Sequence, residues 1–373
     1  MKRIYLTTAL VALSASGAMA GGIDRSGQGL GALFETGRYF ELTFGTVAPS
    51  VKGTDLLGGP TGSVGNDYTQ FSFSYKYDIN DRLSFAVNLD QPFGADVLYA
   101  PTSLLLGGTK AEASATSLSA ILRYKFDGGF SVHGGVRADK GDGFIGLGGL
   151  AYGGPPPGGV SGYNVTLDSD IAPGYLVGIA YEKPEIALRV ALTYNSAIKH
   201  DFTTTERIGD VQVAPSSVTE VELPQSVNLD FQSGVAKDTL VFGQIRWADW
   251  SAFRVDPVWF TGATGGGLID LEDTTTYTLG VGRKFNDNWA GSISFSYEDG
   301  GSDRLVSPLA PTNGKMGVTV GAVYTRDNMK LTMGVNYTKL GDAFAETGTP
   351  DTARATMEGN SAVGVGVKVG WSF

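Results

Sequence analysis

Short runs in which apolar and polar residues alternate recur along almost the whole chain, and the connections between them are alternately very short and long. At 71–77 every second residue is aromatic, and at 83–89 every second residue is apolar. A period of two places one apolar and one polar face on an extended strand. Similar runs lie at 118–126, 130–136, 175–181, 186–194, 227–235, 240–250, 277–285, 289–297, 318–324, 331–337 and 362–373, with a weaker one at 37–47.

The connections constrain the fold more than the strands do. Tight turns of Asn, Asp, Gly, Lys and Pro lie at 78–81, 127–129, 182–184, 236–238, 286–288 and 326–328. Long stretches rich in Gly, Pro, Thr and Asp lie between them, as at 48–66, 91–112, 140–163 and 341–358. This alternation predicts a transmembrane antiparallel β-barrel of fourteen strands, with both termini at the short-turn rim. A closed barrel satisfies every backbone hydrogen bond in lipid, because it has no unpaired edge.

The last strand shows which side faces lipid. One side carries an apolar row that ends in Trp371 and Phe373, and the other carries glycines and Lys368. The apolar row is predicted to face hydrocarbon and the other side the lumen. A terminal aromatic residue also resembles the signal that outer-membrane assembly machinery recognises, so Phe373 is a candidate contact for that partner. Other aromatic residues lie beside the tight turns, where a girdle is expected: Tyr75, Tyr77, Tyr124, Phe126, Tyr181, Phe285, Trp289 and Tyr324.

The N-terminus predicts export. Lys2 and Arg3 precede a small, apolar run that ends in Ala18-Met19-Ala20, which is typical of a secretory signal peptide at 1–20. No later apolar stretch reaches the ~20 residues that a membrane helix requires. The expected organisation is therefore the signal peptide, a short lumenal segment at 21–36 and the barrel at 37–373. The expected location is the outer membrane, among its lipid and lipopolysaccharide.

Composition excludes several classes of function. The net charge of −10 disfavours nucleic-acid binding, which requires a basic surface. The absence of cysteine excludes disulfides and thiolate chemistry. The two histidines, His133 and His200, lie at opposite ends of the predicted barrel and outside any recognisable catalytic motif. We expect a protein that is not an enzyme and carries no cofactor and no metal.

The polar strand faces place many charges in the lumen. Basic residues predicted there are Lys76, Arg123, Lys125, Arg137, Arg189, Arg246, Lys284 and Lys368, and acidic ones are Asp90, Asp139, Glu182, Asp230 and Glu298. Buried charges must pair or meet water. One interpretation is an ion-pair network that stiffens the wall. The other is that Arg123, Arg137, Arg189 and Arg246 hold an anionic head group, and the two are compatible.

One long connection is unusually apolar for an exposed loop. It contains Phe93, Leu98 and Tyr99, followed by Leu104, Leu105 and Leu106. These side chains predict either a hydrophobic patch that receives an apolar ligand or a plug that packs into the barrel mouth.

Two stretches resemble a known family, the FadL-type transporters of long-chain fatty acids and toluene. The sequence ELPQSVNLDFQSGVAKDTLVFGQIRWADWSAF, residues 222–253, is similar to the family's central hairpin, and Pro92-Phe93-Gly94 is similar to the start of its long apolar loop. The resemblance covers roughly 37–373 and implies a fourteen-stranded barrel that takes up hydrophobic compounds such as long-chain fatty acids. The segment before the first strand is shorter than the family's lumenal hatch and lacks its Asn-Pro-Ala element.

The resemblance also implies a route. An apolar molecule would land on the loop around Phe93 and Leu98 and enter a cavity, gaining about 0.8 kcal/mol per buried methylene. It would leave sideways at the end of the third strand, with Asp90, Pro92 and Gly94 as the gate. The main alternative is a diffusion porin for small polar solutes, with an open lumen and ion conductance. A structural or adhesion role of the loops has no specific support in the sequence.

Overall fold

The computed structural model describes residues 23–154, 158–302, 304–348 and 350–373. The predicted signal peptide at 1–20 lies outside these residues. The strands are β1 Tyr39–Ser50, β2 Gly53–Asp55, β3 Tyr68–Asp78, β4 Leu83–Asp90, β5 Gly94–Leu98, β6 Lys110–Lys125, β7 Phe130–Gly146, β8 Tyr163–Lys183, β9 Leu188–Asn195, β10 Ile198–Ile208, β11 Val211–Gln212, β12 Ser217–Leu223, β13 Ser226–Ala236, β14 Thr239–Ala248, β15 Thr274–Lys284, β16 Trp289–Glu298, β17 Leu305–Val306, β18 Lys315–Arg326, β19 Met329–Leu340, β20 Ala343–Thr347, β21 Thr352–Met357 and β22 Ser361–Ser372. The described helices are α1 Val258–Thr264 and short 3₁₀ turns at Gly31–Phe34, Asp127–Gly129, Leu150–Tyr152, Pro184–Ile186 and Trp250–Ala252.

Fourteen of these strands close into an antiparallel barrel, as predicted. They are β1, β3, β4, β6, β7, β8, β9, β13, β14, β15, β16, β18, β19 and β22. The last strand pairs with the first, Tyr39 opposite Ser372, and the Phe373 N–H donates to the Arg38 carbonyl at 2.9 Å. Closure therefore leaves no edge strand within the wall, and both described ends of the barrel lie at one rim.

Side-chain exposure confirms which face points outward. On β22, Val363 and Val365 are 43% and 45% exposed, whereas Gly364 and Gly366 between them are buried. Aromatic rings pair beside the short turns, for example Trp289 with Tyr324 at 4.9 Å between ring centroids. The apolar alternation thus faces the membrane, and an aromatic girdle marks the short-turn rim.

The strands extend further on the long-loop side than their alternation predicts. The clearest case is β8, which runs over Tyr163–Lys183 although its apolar alternation covers only 175–181. Its lower part pairs with β9 and its upper part with β10, and β10 in turn pairs with β12. The polar residues at 168–170 separate this extension from the alternation at 175–181, and its own apolar residues, Tyr163, Val165 and Leu167, are buried rather than facing lipid.

The long connections are folded rather than irregular. A small sheet of β2, β17, β20 and β21 lies among them. Together with the upper strands they enclose a hydrophobic core whose fully buried members include Val51, Val97, Leu106, Leu340 and Met357. This core covers the long-loop side of the barrel. Among the described residues, no helix is long and apolar enough to cross a membrane.

Candidate functional site

Residues 23–34, which precede the first strand and are called the N-terminal segment below, lie inside the barrel. The 3₁₀ turn Gly31–Phe34 of this segment buries Leu33 and Phe34. These two side chains pack against inward-facing residues of the wall, namely Ala86, Ile121, Leu176, Ala180 and Ala191. The lumen is therefore occupied by the chain's own N-terminal segment at this level.

Phe34 lies between two of the arginines that the sequence places in the lumen. The guanidinium carbons of Arg123 and Arg189 lie 4.5 and 4.6 Å from the centre of its ring. Arg123 also forms an ion pair with Glu182, and its Nε donates to Ser131 at 3.1 Å. Cation–π contacts of this kind stabilise most where water is excluded. They hold the N-terminal segment to the wall on the short-turn side.

Arg246 holds the start of the same segment. Its Nε donates to Asp24 at 2.6 Å, and its Nη1 donates to Gln28, Ser226 and Asn228 at 3.2, 3.0 and 2.9 Å. The last two residues belong to the barrel wall, whereas Asp24 and Gln28 belong to the N-terminal segment. Arg246 therefore joins the segment to the wall through a buried ion pair.

Arg137 forms its hydrogen bonds with barrel strands rather than with the N-terminal segment. Its Nε donates to Ser119 at 3.1 Å and its Nη2 to Asn195 at 3.0 Å. Its Nη1, like Nη2 of Arg246, is buried and has no hydrogen-bond partner among the described residues. All four predicted arginines thus lie buried inside the barrel: Arg123, Arg137 and Arg246 form hydrogen bonds there, and Arg189 packs on Phe34. Their binding of a ligand head group stays a prediction.

The third barrel strand is interrupted where the sequence places the gate. The β4 strand ends at Asp90, and the chain pairs with β6 again only from Gly94 onward. The N-terminal segment pairs with the interruption instead: Arg25 N–H donates to the Pro92 carbonyl at 2.7 Å, and Gly94 N–H donates to Ile23 at 2.9 Å. Proline has no N–H for the regular ladder, which favours an interruption at this point.

A gap in the barrel wall lies beside this interruption. The β3 strand pairs with β4 only up to Phe73 opposite Leu89. Above that pair the Gln91 side chain accepts a hydrogen bond from the Phe71 N–H at 2.9 Å. We call the opening between the upper part of β3 and residues 91–94 the wall gap.

The N-terminal segment fills the wall gap. The Arg25 guanidinium lies 4.2 Å from the centre of the Tyr68 ring. A Cβ at Gly94 would lie 2.5 Å from Cζ of Arg25, so any larger residue here would push the Arg25 guanidinium out of its place. The two stretches that border the gap, the upper part of β3 and residues 91–94, are thus bridged by the Arg25 side chain rather than by strand pairing.

An apolar cavity of about 70 Å³ lies above the interrupted strand. Its apolar lining includes Phe93, Ile145, Phe202, Leu223 and Phe253. The Phe93 ring meets Trp250 edge-on at 5.4 Å between centroids, and Trp250 meets Phe253 at 5.8 Å. The structure therefore brings together Pro92-Phe93-Gly94 and the end of the 222–253 stretch.

His200 is one of the polar residues that line the cavity. Its ring lies between two carboxylates, with Nδ1 3.0 Å from Asp170 and Nε2 3.2 Å from Asp139. The ring stacks on Phe202 at 5.1 Å. Burial lowers the pKa of His200, but hydrogen bonds to the two aspartates and their negative charges raise it by more, so the pKa lies above its ordinary value.

The apolar loop divides between core and surface. Phe93, Tyr99 and Leu106 are buried, and Leu105 is half-buried, whereas Leu98 and Leu104 are 42% and 52% exposed. Part of the loop therefore packs into the core, and part of it is exposed. Their roles in binding a ligand stay predictions.

Leu104 belongs to a larger exposed group, which we call the leucine patch: Leu56, Leu57, Leu104 and Leu150. Asp55 accepts hydrogen bonds from the N–H groups of Leu57 and Leu105, at 2.9 and 3.1 Å, and the Leu150 N–H donates to the Leu104 carbonyl at 2.9 Å. Sequence reasoning missed Leu56, Leu57 and Leu150, although a Leu-Leu pair inside a glycine-rich loop was a usable signal. It also missed Phe202 and Ile145, whose proximity depends on the loop fold.

A closed barrel with an occupied lumen, a gap in its wall and an apolar cavity defines a class, the outer-membrane transport barrels. The sequence model described as "Outer membrane protein transport protein (OMPP1/FadL/TodX)" matches residues 39–373. The chain belongs to this family, lies in the outer membrane and transports hydrophobic compounds. This finding overturns the alternative expectation of a diffusion porin for polar solutes. The family consists of transport proteins rather than enzymes.

Solved structures show the same fold. A Pseudomonas aeruginosa FadL homologue superposes with a TM-score of 0.72 at 15% identity, covering 92% of both chains. The Pseudomonas putida toluene transporter TodX gives 0.63 at 16% identity, over 92% of this chain and 91% of that one. The Ralstonia pickettii toluene transporter TbuX gives 0.62 at 15% identity, also over 92% and 91%. No curated protein sequence matches this chain.

Proposed function

We propose that hydrophobic compounds move from the leucine patch through the apolar cavity and leave sideways through the wall gap. The observation that carries this route is the position of Phe93. Its ring lines the cavity, and its backbone lies in the interrupted stretch beside the gap. One residue thus connects the place where an apolar ligand gains binding energy with the place where it can reach the membrane.

The exposed leucines supply the first step of this route. An apolar patch on an extracellular loop collects hydrophobic molecules from water or from the lipopolysaccharide layer. The buried residues Tyr99 and Leu106 fix the loop that presents Leu104, so the patch keeps its place above the barrel. The cargo class includes monoaromatic hydrocarbons and long-chain fatty acids, in keeping with toluene transport by TodX and TbuX.

The last step requires the N-terminal segment to move. Ile23 and Arg25 form hydrogen bonds with Gly94 and Pro92 on one side of the gap, and the Arg25 side chain packs on Tyr68 on the other side. Withdrawal of residues 23–26 into the lumen would open a lateral exit beside Asp90, Pro92 and Gly94. A ligand that leaves this way enters the hydrocarbon layer without crossing the polar lumen.

Three further points belong to this proposal. The girdle and the lipid-facing strands contact outer-membrane lipid and lipopolysaccharide. Phe373, which is exposed at the short-turn rim, is the contact for the barrel-assembly machinery. The chain transports its cargo passively and catalyses no reaction on it.

Cross-linking across the wall gap tests the lateral exit. The chain has no cysteine, so Gln70→Cys with Gln91→Cys gives one defined pair, and Nε2 of Gln70 lies 3.4 Å from the Gln91 carbonyl oxygen. A reducible bifunctional thiol reagent should lower uptake of radiolabelled toluene and oleate by intact Gram-negative cells that lack other family members. Uptake should recover after reduction.

The matched control pair is Val281→Cys with Ile293→Cys, two lipid-facing residues that lie opposite each other on β15 and β16. Cross-linking there leaves the wall gap free and should leave uptake unchanged. Equal uptake before and after cross-linking of the 70–91 pair would contradict lateral release.

A further inference from the structure

The leucine patch is assembled from three separate loops. Leu56 and Leu57 follow β2, Leu104 lies between β5 and β6, and Leu150 lies between β7 and β8. The loops of Leu104 and Leu150 are joined through their backbones, since the Leu150 N–H donates to the Leu104 carbonyl. At the patch, the loop of Leu56 and Leu57 is joined to them through side chains.

The carboxylate of Asp55 bridges the tips of the first two loops. Its Oδ1 accepts hydrogen bonds from the N–H groups of Leu57 and Gly59, both at 2.9 Å and both in its own loop. Its Oδ2 accepts from the Ser103 hydroxyl at 2.8 Å and from the Leu105 N–H at 3.1 Å, in the other loop. Each oxygen therefore serves one loop, and the carboxylate lies between them.

Asp55 is only 3% exposed, and a buried carboxylate is costly unless it is hydrogen-bonded. Burial raises the pKa of Asp55, but hydrogen bonds from Leu105, Gly59, Ser103 and Leu57 lower it by more, so the pKa lies below its ordinary value. The group is therefore ionised at neutral pH. Its four hydrogen bonds are charge-assisted, which makes them stronger than bonds between neutral groups.

The tips of the two loops also approach closely beside this carboxylate. A Cβ at Gly59 would lie 2.6 Å from the Thr102 carbonyl oxygen and 2.9 Å from Oδ2 of Asp55. The Thr102 hydroxyl in turn donates to the Pro60 carbonyl at 2.8 Å. Any side chain at position 59 would push the tips apart, because backbone atoms stand in its way.

Further from the tips, the same two loops are joined without Asp55. The Ala100 N–H donates to the Thr61 carbonyl at 2.9 Å, and the Leu98 N–H donates to the Val64 carbonyl at 2.8 Å. Loss of the carboxylate would therefore free the tips and leave the loops assembled below them.

The exposed leucines lie directly beside the bridge. Leu57 donates to it, and Leu104 stands between its two donors Ser103 and Leu105. A single exposed leucine offers an apolar molecule little surface, and the binding energy grows with the apolar area that is covered. The patch can therefore hold a molecule only while the leucines of different loops stay close together.

We propose that Asp55 is the positioning residue of the leucine patch, which keeps the leucines of two loops in one surface that captures hydrophobic compounds for transport. The inference rests on the proposed function, because it takes the patch as the first step of the route. It adds a residue that acts through the leucines rather than on the cargo. Loss of Asp55 should weaken capture at low cargo concentration and leave transport at saturating concentration unchanged.

Asp55→Asn tests this with little change of shape. The amide group has one oxygen, and its NH₂ cannot accept a hydrogen bond, so one of the two loops loses its acceptor in either orientation. Initial rates of radiolabelled toluene uptake are measured over a range of concentrations in the cells described above. We expect KM to rise at least about fivefold and Vmax per assembled molecule to stay within about twofold. An unchanged KM overturns the inference.

The KM does not depend on how much protein reaches the membrane, so poor assembly of a variant lowers Vmax alone. Should Asp55→Asn fail to assemble at all, Gly59→Ala decides the question, because it separates the tips and keeps the carboxylate. It should also raise KM at least about threefold. An unchanged KM in Gly59→Ala overturns the inference.

The matched control is Asp78→Asn, at the short-turn rim. Asp78 also accepts several hydrogen bonds, among them from the Gly37 N–H at 2.7 Å and the Ser84 hydroxyl at 2.5 Å. Its loss should lower stability and leave KM unchanged. A rise in KM equal to that of Asp55→Asn would overturn the inference, since the effect would then not come from the patch.

A double-mutant cycle shows whether Asp55 acts through the leucines. Leu104→Ser removes one leucine of the patch and should itself raise KM. Asp55→Asn added to Leu104→Ser should raise KM by less than about twofold more, because both changes act on one surface. Effects that multiply in full overturn the inference.

The same cycle separates the inference from the proposed function. If Leu104→Ser raises KM and Asp55→Asn does not, the inference fails and capture by the patch stands. If neither variant changes KM, capture by the patch fails as well.

Discussion

Arg246→Gln should release the N-terminal segment from the lumen. In the native chain Arg246 forms a buried ion pair with Asp24 and a hydrogen bond with Gln28, both in that segment. Glutamine is shorter and uncharged, so Asp24 would lose its charged partner inside the barrel. The segment would then be held by the backbone hydrogen bonds of Ile23 and Arg25 at the wall gap, and by the packing of Leu33 and Phe34 in the lumen.

The size of the effect follows from the burial of the pair. Removing one partner of a buried ion pair costs about 3–5 kcal/mol. The Asp24 side chain is 17% exposed, so water lowers the cost toward the lower bound. A loss of about 3 kcal/mol shifts the ratio of docked to released segment by a factor of about 100. The released state should become readily detectable but not fully populated, because Leu33 and Phe34 still pack against the barrel wall.

Single-channel recording in planar lipid bilayers measures this directly. The native protein should conduct rarely, since its lumen is occupied, and Arg246→Gln should show openings about 100-fold more often. The matched control is Lys315→Gln, which breaks the buried ion pair of Lys315 with Glu298, 3.0 Å apart, without touching the N-terminal segment. This control should lower stability and leave conductance low. Equal conductance of the native chain and Arg246→Gln would refute the role assigned to the pair.

Three further predictions concern other parts of the molecule. Gly94→Val places a side chain where the Arg25 guanidinium lies, so trypsin should cleave after Arg25 faster than in the native protein; equal cleavage would contradict the packing. Leu279→Lys puts a charge on the lipid face and should lower the free energy of unfolding in vesicles by about 2–4 kcal/mol. The variant His133→Asn leaves His200 as the remaining histidine. At pH 6.5, the ordinary pKa of a histidine, ¹⁵N spectra should show both ring nitrogens of His200 mainly protonated. Because folding raises the pKa of His200, protonation of its ring stabilises the folded protein. This contribution is fully present below pH 6.5 and is lost as the pH rises through the folded pKa; titration of the ring below pH 6.5 would contradict the prediction.

The barrel could be read from the sequence because its pattern is local. The apolar face at 71–77 and the Asp127-Gly128-Gly129 turn each depend on a few adjacent residues and on one solvent, lipid. An alternation with period two can be recognised in a single strand without knowing how that strand pairs with its neighbours. It therefore gives the number of strands and the residues that face outward. The upper part of β8 also alternates, at Tyr163, Val165 and Leu167, but it was missed because the polar residues 168–170 separate it from the lipid-facing run at 175–181.

The site depended on contacts that no local pattern encodes. Phe93 and Trp250 were each singled out from motifs, but only the closed barrel and the folded loops bring their rings to 5.4 Å. The sequence correctly predicted that the side chains of the four arginines face the lumen. Some of their partners, among them Phe34 and Asp24, belong to the N-terminal segment, whose path the sequence does not predict.

The sequence alone determined a closed wall of fourteen strands, because alternation, turn residues and an even count leave lipid only one arrangement without free edges. The tertiary structure decided what happens inside that wall. The N-terminal segment fills the wall gap, and His200 lies between two aspartates. Both arrangements join residues that are far apart in the chain, so they depend on tertiary packing and not on the local alternation of apolar and polar residues.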